Sequence, residues 1–348
     1  MPWTKVYSNK AEFEKALSDN KDLRGLAYKD ALLEATSQML ESDETVFVIG
    51  EGIDDPGGVF GSTKGLHLKF GRERVMDSPL AENGITGVAV GAAVAGMRPI
   101  LVHMRVDFIP LTIDQIVNHA AKWRYMFGGK VSVPVVIRSM IGRGWGSAAQ
   151  HSQSLQSLFT NIPGLKVVMP ATPYDAKGLL RASVYDGNPV VFIEHRWLYE
   201  HMGHVPAEPY TVPLGKAVTR RAGRDATIVA VSYMVYESMC AADILKNEGI
   251  DCEVIDFRTL KPLDMPHILE SVSKTGRLVI ADTGWKDTGI GSEIIARVVE
   301  DGFGVLKAPP ERVNLPEAPT PASPALEKAY YPGKNEIAAA VRRVVKRG

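Results

Sequence analysis

The chain has 348 residues, 45% hydrophobic and 23% charged, which is the composition of a soluble globular protein long enough for two cores. Its 40 basic and 40 acidic residues cancel, so nothing in the charge favours a nucleic-acid partner or an anionic membrane. Cys240 and Cys252 are the only cysteines, which excludes a disulfide framework, and no Cys/His cluster offers a zinc site.

Met1 to Lys21 is charged and lacks an apolar signal core, so residues 1–21 read as an N-terminal extension. Apolar, β-branched runs then alternate with helical periodicity, the pattern of parallel α/β architecture. Strands are predicted at Thr45–Ile49, Arg74–Asp77, Pro99–Val102, Val133–Ile137, Leu165–Met169 and Val190–Ile193. Helices are predicted over Gly84–Met97, Thr112–Met126 and Tyr174–Tyr185, the last after the start signal Thr172-Pro173. Gly84–Met97 is the longest apolar stretch and is too short to cross a bilayer, so a cytoplasmic location is the simplest expectation.

Residues 201–215 are expected to be an interdomain linker, because His201 to Pro213 is rich in Pro, His and Gly without sustained periodicity. Alternation then resumes. Strands are predicted at Ala226–Val231, Cys252–Asp256 and Leu278–Ala281, with helices over Val235–Asn247, Met265–Ser273, Gly291–Asp301 and Lys334–Val345. Pro309–Pro324 reads as a long extended connection in which Val313 and Leu315 are buried.

Glu82 lies between the strand ending at Asp77 and the small-residue helix, where open parallel sheets place their ligands. An acid favoured there merely by the helix dipole is the alternative. Nucleotide motifs are missing. There is no phosphate loop and no G-x-S-x-G elbow, and Gly289-Ile290-Gly291 fails the dinucleotide fingerprint because Ile294 holds the third glycine's place.

Several ordered segments carry a resemblance. They are Ile49-Gly50-Glu51-Gly52, Gly57-Gly58-Val59-Phe60, Ser78-Pro79-Leu80-Ala81-Glu82-Asn83-Gly84, Asp114-Gln115-Ile116-Val117-Asn118 and Gln150-His151-Ser152-Gln153. Pro163-Gly164-Leu165-Lys166-Val167-Val168 follows, and in the second half Val254 to Asp264 and Pro324 to Tyr330. From residue 24 onward the chain resembles the β-subunits of thiamine-diphosphate-dependent 2-oxo acid dehydrogenases acting on pyruvate, branched-chain oxo acids or acetoin.

That resemblance implies an α/β fold: a doubly wound, mostly parallel pyrimidine-binding domain over residues 22–200 and a smaller transketolase-like C-terminal domain over 216–348. It implies that Glu82 is the carboxyl group that hydrogen-bonds the cofactor's pyrimidine and favours its imino tautomer. Phe108 would stack on the ring, with Leu80 and Met104 lining the same pocket; core packing is the alternative for all three. His151 would face the oxo acid or a lipoyl group as proton donor or oxyanion partner, unless it is a structural loop histidine. His103 and His119 lie on apolar segments and read as structural. An acid at Glu51 lies, in the family, in a solvated channel joining paired sites; a simple loop acid is the alternative. A potassium-type ion is expected on oxygens of Val135, Ser183, Asp186 and Asn188, mostly backbone carbonyls, which suit hard cations.

The family holds the cofactor's diphosphate through Mg2+ on a Gly-Asp-Gly segment, and this chain has none. The resemblance therefore implies an α-subunit that carries the Mg2+ half, an α2β2 heterotetramer, and a lipoyl acyltransferase as further partner. Asn83, Arg105, Arg143 and Trp145 depart from the usual pattern and put a housekeeping pyruvate substrate in doubt. A split transketolase-like or acyloin-forming subunit is the competing function, and a non-catalytic scaffold the third.

Overall fold

The computed structural model describes residues 5–7, 10–20, 23–142 and 146–347, so Arg143 and Trp145 lie outside the described residues. In chain order the first half holds α1 (Lys10–Asp19), β1 (Gly25–Ala27), α2 (Tyr28–Ser42), β2 (Val46–Gly50) and α3 (Leu66–Phe70). β3 (Val75–Asp77), α4 (Glu82–Val94), β4 (Arg98–His103), α5 (Ala121–Met126) and β5 (Val136–Ile141) follow. α6 (Gln156–Thr160), β6 (Lys166–Val168), α7 (Pro173–Val184), β7 (Val190–His195) and β8 (Met202–His204) complete that half. The second half holds β9 (Val218–Arg221), β10 (Ala226–Ala230), α8 (Tyr233–Lys246), β11 (Cys252–Asp256), β12 (Thr259–Lys261) and α9 (Met265–Thr275). β13 (Leu278–Trp285), α10 (Ile290–Gly302), β14 (Glu311–Leu315), α11 (Pro324–Tyr330) and α12 (Lys334–Arg347) end the chain.

The β-branched runs become strands buried on both faces, as parallel sheets require. One sheet has 7 strands in the order β12-β6-β7-β5-β4-β2-β3, all parallel except β12; the other has 5 in the order β14-β13-β10-β11-β9, parallel except β9. The expected mostly parallel α/β fold is therefore present. In the larger sheet the chain runs outward from β2 to β3, then turns back to β4 on β2's other side. The crevice at the carboxyl ends of β2 and β4 is thus the topological switch point, where such sheets bind ligands. Among the described residues no helix is long and apolar enough to cross a membrane.

Three expectations change in detail. The helix predicted over Gly84–Met97 starts two residues earlier, at Glu82, and ends where Gly96 takes a φ of +99°. The helix predicted over Thr112–Met126 is broken into a 3-10 turn (Val106–Thr112), a π-helical turn (Gln115–Ala120) and α5. Pro110 inside the first turn lacks an amide hydrogen, and π turns gather at functional sites. The segment expected as linker contains β8, which pairs antiparallel with β1, and Tyr7 Oη lies 2.6 Å from His204 Nε2. Strands of three residues are too short to leave a period.

The halves are joined by polar contacts. Asp175, at the start of α7, pairs with both Arg220 and Arg258, and Arg220 reaches Asp256 at 2.7 Å; all four side chains are at most 10% exposed. Burial opposes its charge, but the Arg220 and Arg258 guanidiniums hold the Asp175 carboxyl below its ordinary range. β12 adds to the edge of the larger sheet, and Lys261 Nζ donates to the carbonyls of Thr160 and Ile162 at 2.8 and 2.9 Å.

Candidate active site

The switch-point crevice collects the residues expected around the pyrimidine, while those expected around a potassium-type ion lie elsewhere. Glu51 follows β2, Met104 follows β4, and Glu82 opens α4 just beyond β3. α4 packs against β4 and against the 3-10 turn that carries Phe108. The His151 ring meets Phe108 edge-to-face, with centroids 5.4 Å apart and planes at 81°. Met104 fills the space over Gly52, where a β-carbon would lie 2.6 Å from its Cε.

Glu82 is half-buried, and its backbone carbonyl is tied within α4 to Thr86 and through it to His103. Thr86 Oγ1 donates to the Glu82 carbonyl at 2.7 Å and lies 3.1 Å from His103 Nε2. A hydroxyl has one hydrogen, so Nε2 must carry the proton and donate to Thr86. The other ring nitrogen, Nδ1, is then bare, and it is buried without a partner among the described residues. Burial pushes the His103 pKa down to about 4, so the ring is neutral at pH 7. This fits the structural role expected of it. His119, also expected to be structural, stacks on Trp123 with centroids 5.2 Å apart.

Glu51 is buried and its Oε1 has no partner among the described residues. Burial first, then the charges of Glu82 and Asp77, push its carboxyl pKa up. Glu51, Asp77 and Glu82 thus lie at the same end of the sheet, near enough for the two neighbouring charges to act on Glu51. Leu80 is 83% exposed, and Val88 on α4 and Leu111 on the 3-10 turn are 56% and 61% exposed, so apolar surface surrounds the acid without covering it.

The residues expected to hold a potassium-type ion gather at the opposite, amino edge of the same sheet. The Val135 carbonyl accepts from Val190 N at 2.9 Å, which ties it to the 183–188 turn. Asp186 pairs with Lys166 and accepts from Asn188 Nδ2 at 2.8 Å, and Asn188 Oδ1 accepts from Arg124 at 3.1 Å. Among the described residues no group of three or more His, Cys, Asp or Glu side chains is placed to hold a metal ion. A cleft of about 1100 Å³ between α6, Pro262 and the start of α10 contains none of the site residues.

One feature escaped the sequence reading. Asp107 accepts from Gln153 N at 3.0 Å; burial pushes its pKa up, and its Oδ2 is buried without a partner among the described residues. An acid inside the apolar run Val106–Ile109, next to Phe108, is the signal that could have flagged it. Arg105, expected as a charge beside the aromatic pocket, is buried and donates to the Gly142 carbonyl at 2.8 Å.

The family described as transketolase, pyrimidine binding domain, matches residues 24–202, and that described as transketolase, C-terminal domain, matches 215–337. The chain belongs to this transketolase-type family. It is 49% identical to the acetoin:2,6-dichlorophenolindophenol oxidoreductase subunit beta of Cupriavidus necator, covering 93% of this chain and 99% of that one. It is 45% identical to the pyruvate dehydrogenase E1 component subunit beta of Porphyra purpurea (91% and 96% covered). It is 43% identical to the 2-oxoisovalerate dehydrogenase subunit beta of Bacillus subtilis (92% and 98% covered). A solved structure described as a split gene transketolase, inactive beta4 tetramer, shares the fold with a TM-score of 0.75 at 23% identity, covering 93% and 99% of the two chains.

Proposed function

We propose that this chain is the β-subunit of a thiamine-diphosphate-dependent 2-oxo acid dehydrogenase that decarboxylates a small 2-oxo acid and passes the acyl group to a lipoyl domain. Residues 22–200 would form the pyrimidine-binding domain and 216–348 the C-terminal one. The observation that carries the reading is the switch-point crevice itself. A half-buried carboxylate opens a helix there, beside an aromatic ring that already touches a histidine. Nearly full-length similarity to β-subunits supports it.

The residues fit the pyrimidine half of such a cofactor. A flat ring needs an aromatic face, supplied by Phe108, and apolar walls, supplied by Met104 and Leu80. It also needs one carboxyl group near its nitrogen, which Glu82, opening α4 at the crevice, would supply. The chemistry that thiamine diphosphate supplies when bound is a thiazolium carbanion able to attack a carbonyl carbon. Glu82 binds the ring nitrogen and holds a proton there, and Glu51, with its raised pKa, buffers that charge. His151, exposed at the mouth, delivers or accepts a proton at the substrate oxygen.

The diphosphate half would come from an α-subunit carrying Mg2+, seated on the apolar surface of Leu80, Val88 and Leu111 in an α2β2 assembly. The Val135, Ser183, Asp186 and Asn188 oxygens would hold a potassium-type ion that stiffens the amino edge. An acyloin substrate is the second reading, favoured by the 49% identity to an acetoin enzyme subunit. Co-expression with a candidate α-subunit, followed by lipoyl-linked assays on 2-oxo acids and acyloins, tests both. The isolated chain should show no turnover; full activity from this polypeptide alone would sink the shared-site reading.

A further inference from the structure

One 3-10 turn carries two neighbouring residues that both grip the His151 segment. Phe108 meets the His151 ring at 5.4 Å, and Asp107 Oδ1 accepts from the backbone amide of Gln153 at 3.0 Å. No helix or strand spans the described residues 146–155, so local structure does not fix where His151 sits. The other backbone contacts beside the histidine are long, His151 N to the Ala148 carbonyl and Thr320 Oγ1 to the Ser152 carbonyl both at 3.5 Å, and the firmer bond, Gly146 N to Glu327 Oε1 at 3.1 Å, lies five residues before it. Bonds at 3.5 Å contribute little. A carboxylate accepting an amide is roughly twice as strong as a neutral pair, and this one is half-buried, where water competes poorly.

We propose that Asp107 is the positioning residue for His151: it tethers Gln153, and with it the histidine, to the same turn that presents the Phe108 ring. The inference rests on the role given to His151 above. The ring that binds cofactor and the histidine that meets substrate are thereby held by one rigid unit, so their spacing does not depend on the loop before them. The turn is itself fixed, because Val106, Ile109 and Thr112 are buried and Thr112 Oγ1 donates to the Ile109 carbonyl at 2.8 Å. Asp107 touches neither reacting atoms nor cofactor in this scheme; it acts through the backbone.

The test uses Asp107→Ala, which removes the acceptor, and Asp107→Asn, which keeps one. Amide hydrogen exchange on the full chain reads the tether directly and needs no activity. Exchange at Gln153 should quicken about 10- to 100-fold in Asp107→Ala, the range for a lost bond to a charged acceptor, and stay near wild type in Asp107→Asn. With the α-subunit present, kcat should fall by a similar factor in Asp107→Ala. Thiamine diphosphate affinity and hydrogen–deuterium exchange at the thiazolium carbon should hold within about threefold, because Glu82 is untouched. If alanine prevents folding, Asp107→Ser, too short to reach the amide, gives the same readouts. Unchanged Gln153 exchange overturns the proposal, as does a kcat loss matched by equal loss of cofactor affinity. A wild-type tetramer inert toward 2-oxo acids and acyloins would instead refute the function, leaving the exchange result intact.

Discussion

Acidification should loosen this fold through His103, by an amount the structure sets. The ring is 1% exposed, donates from Nε2 to Thr86, and has among the described residues no acceptor for a second proton on Nδ1. Its pKa is about 4 in the folded chain, against about 6.5 when free. A depressed folded pKa means that the unfolded chain binds the extra proton first. The stabilisation is therefore complete above about pH 6.5 and is lost as pH falls toward 4. The whole gap is worth about 3 kcal/mol, of which about 2 kcal/mol has gone by about pH 5. His195, pushed down to about 3 by burial, acts with the same sign, so the informative quantity is a difference between variants. His103→Gln keeps a donor near Thr86 and cannot titrate. Urea unfolding of both proteins at about pH 7.5 and pH 5 should give the variant a smaller loss, by about 2 kcal/mol. Equal losses would mean that His103 is protonated in the fold and that the tautomer argument is wrong.

Glu82→Gln should leave assembly with the α-subunit intact but lower turnover by about 10²- to 10⁴-fold, with thiazolium hydrogen–deuterium exchange slowing in parallel. Normal exchange would reduce Glu82 to a helix-start acid. His151→Ala should keep that exchange and cofactor affinity while slowing decarboxylation or acyl transfer; pre-steady-state kinetics separate the steps, and a parallel drop in exchange would contradict the assignment. Asp175→Ala leaves Arg220 and Arg258 short of a buried partner and should cost about 3–5 kcal/mol of stability. Denaturant titration checks it, and a cost below about 1 kcal/mol would mean that Asp256 alone satisfies both arginines.

The parallel strands were legible because a strand buried on both faces must be apolar throughout, as in Val46–Ile49 and Val190–Ile193. Strand-then-helix order made Glu82 a candidate, and the family resemblance supplied the role expected of it. What stayed hidden depends on distance in space rather than along the chain. β12 is three residues long and joins a sheet formed almost a hundred residues earlier, so no local period announces it. The Thr86–His103 relay spans 17 positions and two elements, and either residue alone reads as core. Leu80 reads as a pocket wall in the sequence, yet 83% of it is exposed in this chain, because the surface proposed to close over it belongs to another polypeptide.

The single antiparallel strand at the rim of the larger sheet bears on where such a chain can be divided. β12 belongs to the second half by position, yet it covers the outer backbone of β6, while Lys261 caps two carbonyls of the α6 turn. Cutting the chain between residues 204 and 218 would separate two sheets that look self-contained and uncover the β6 ladder. A bare strand edge recruits whatever extended chain it meets. The seam in the architecture is therefore not a seam in solubility. A fragment that stays monomeric would have to carry its own substitute for the three residues Thr259–Lys261.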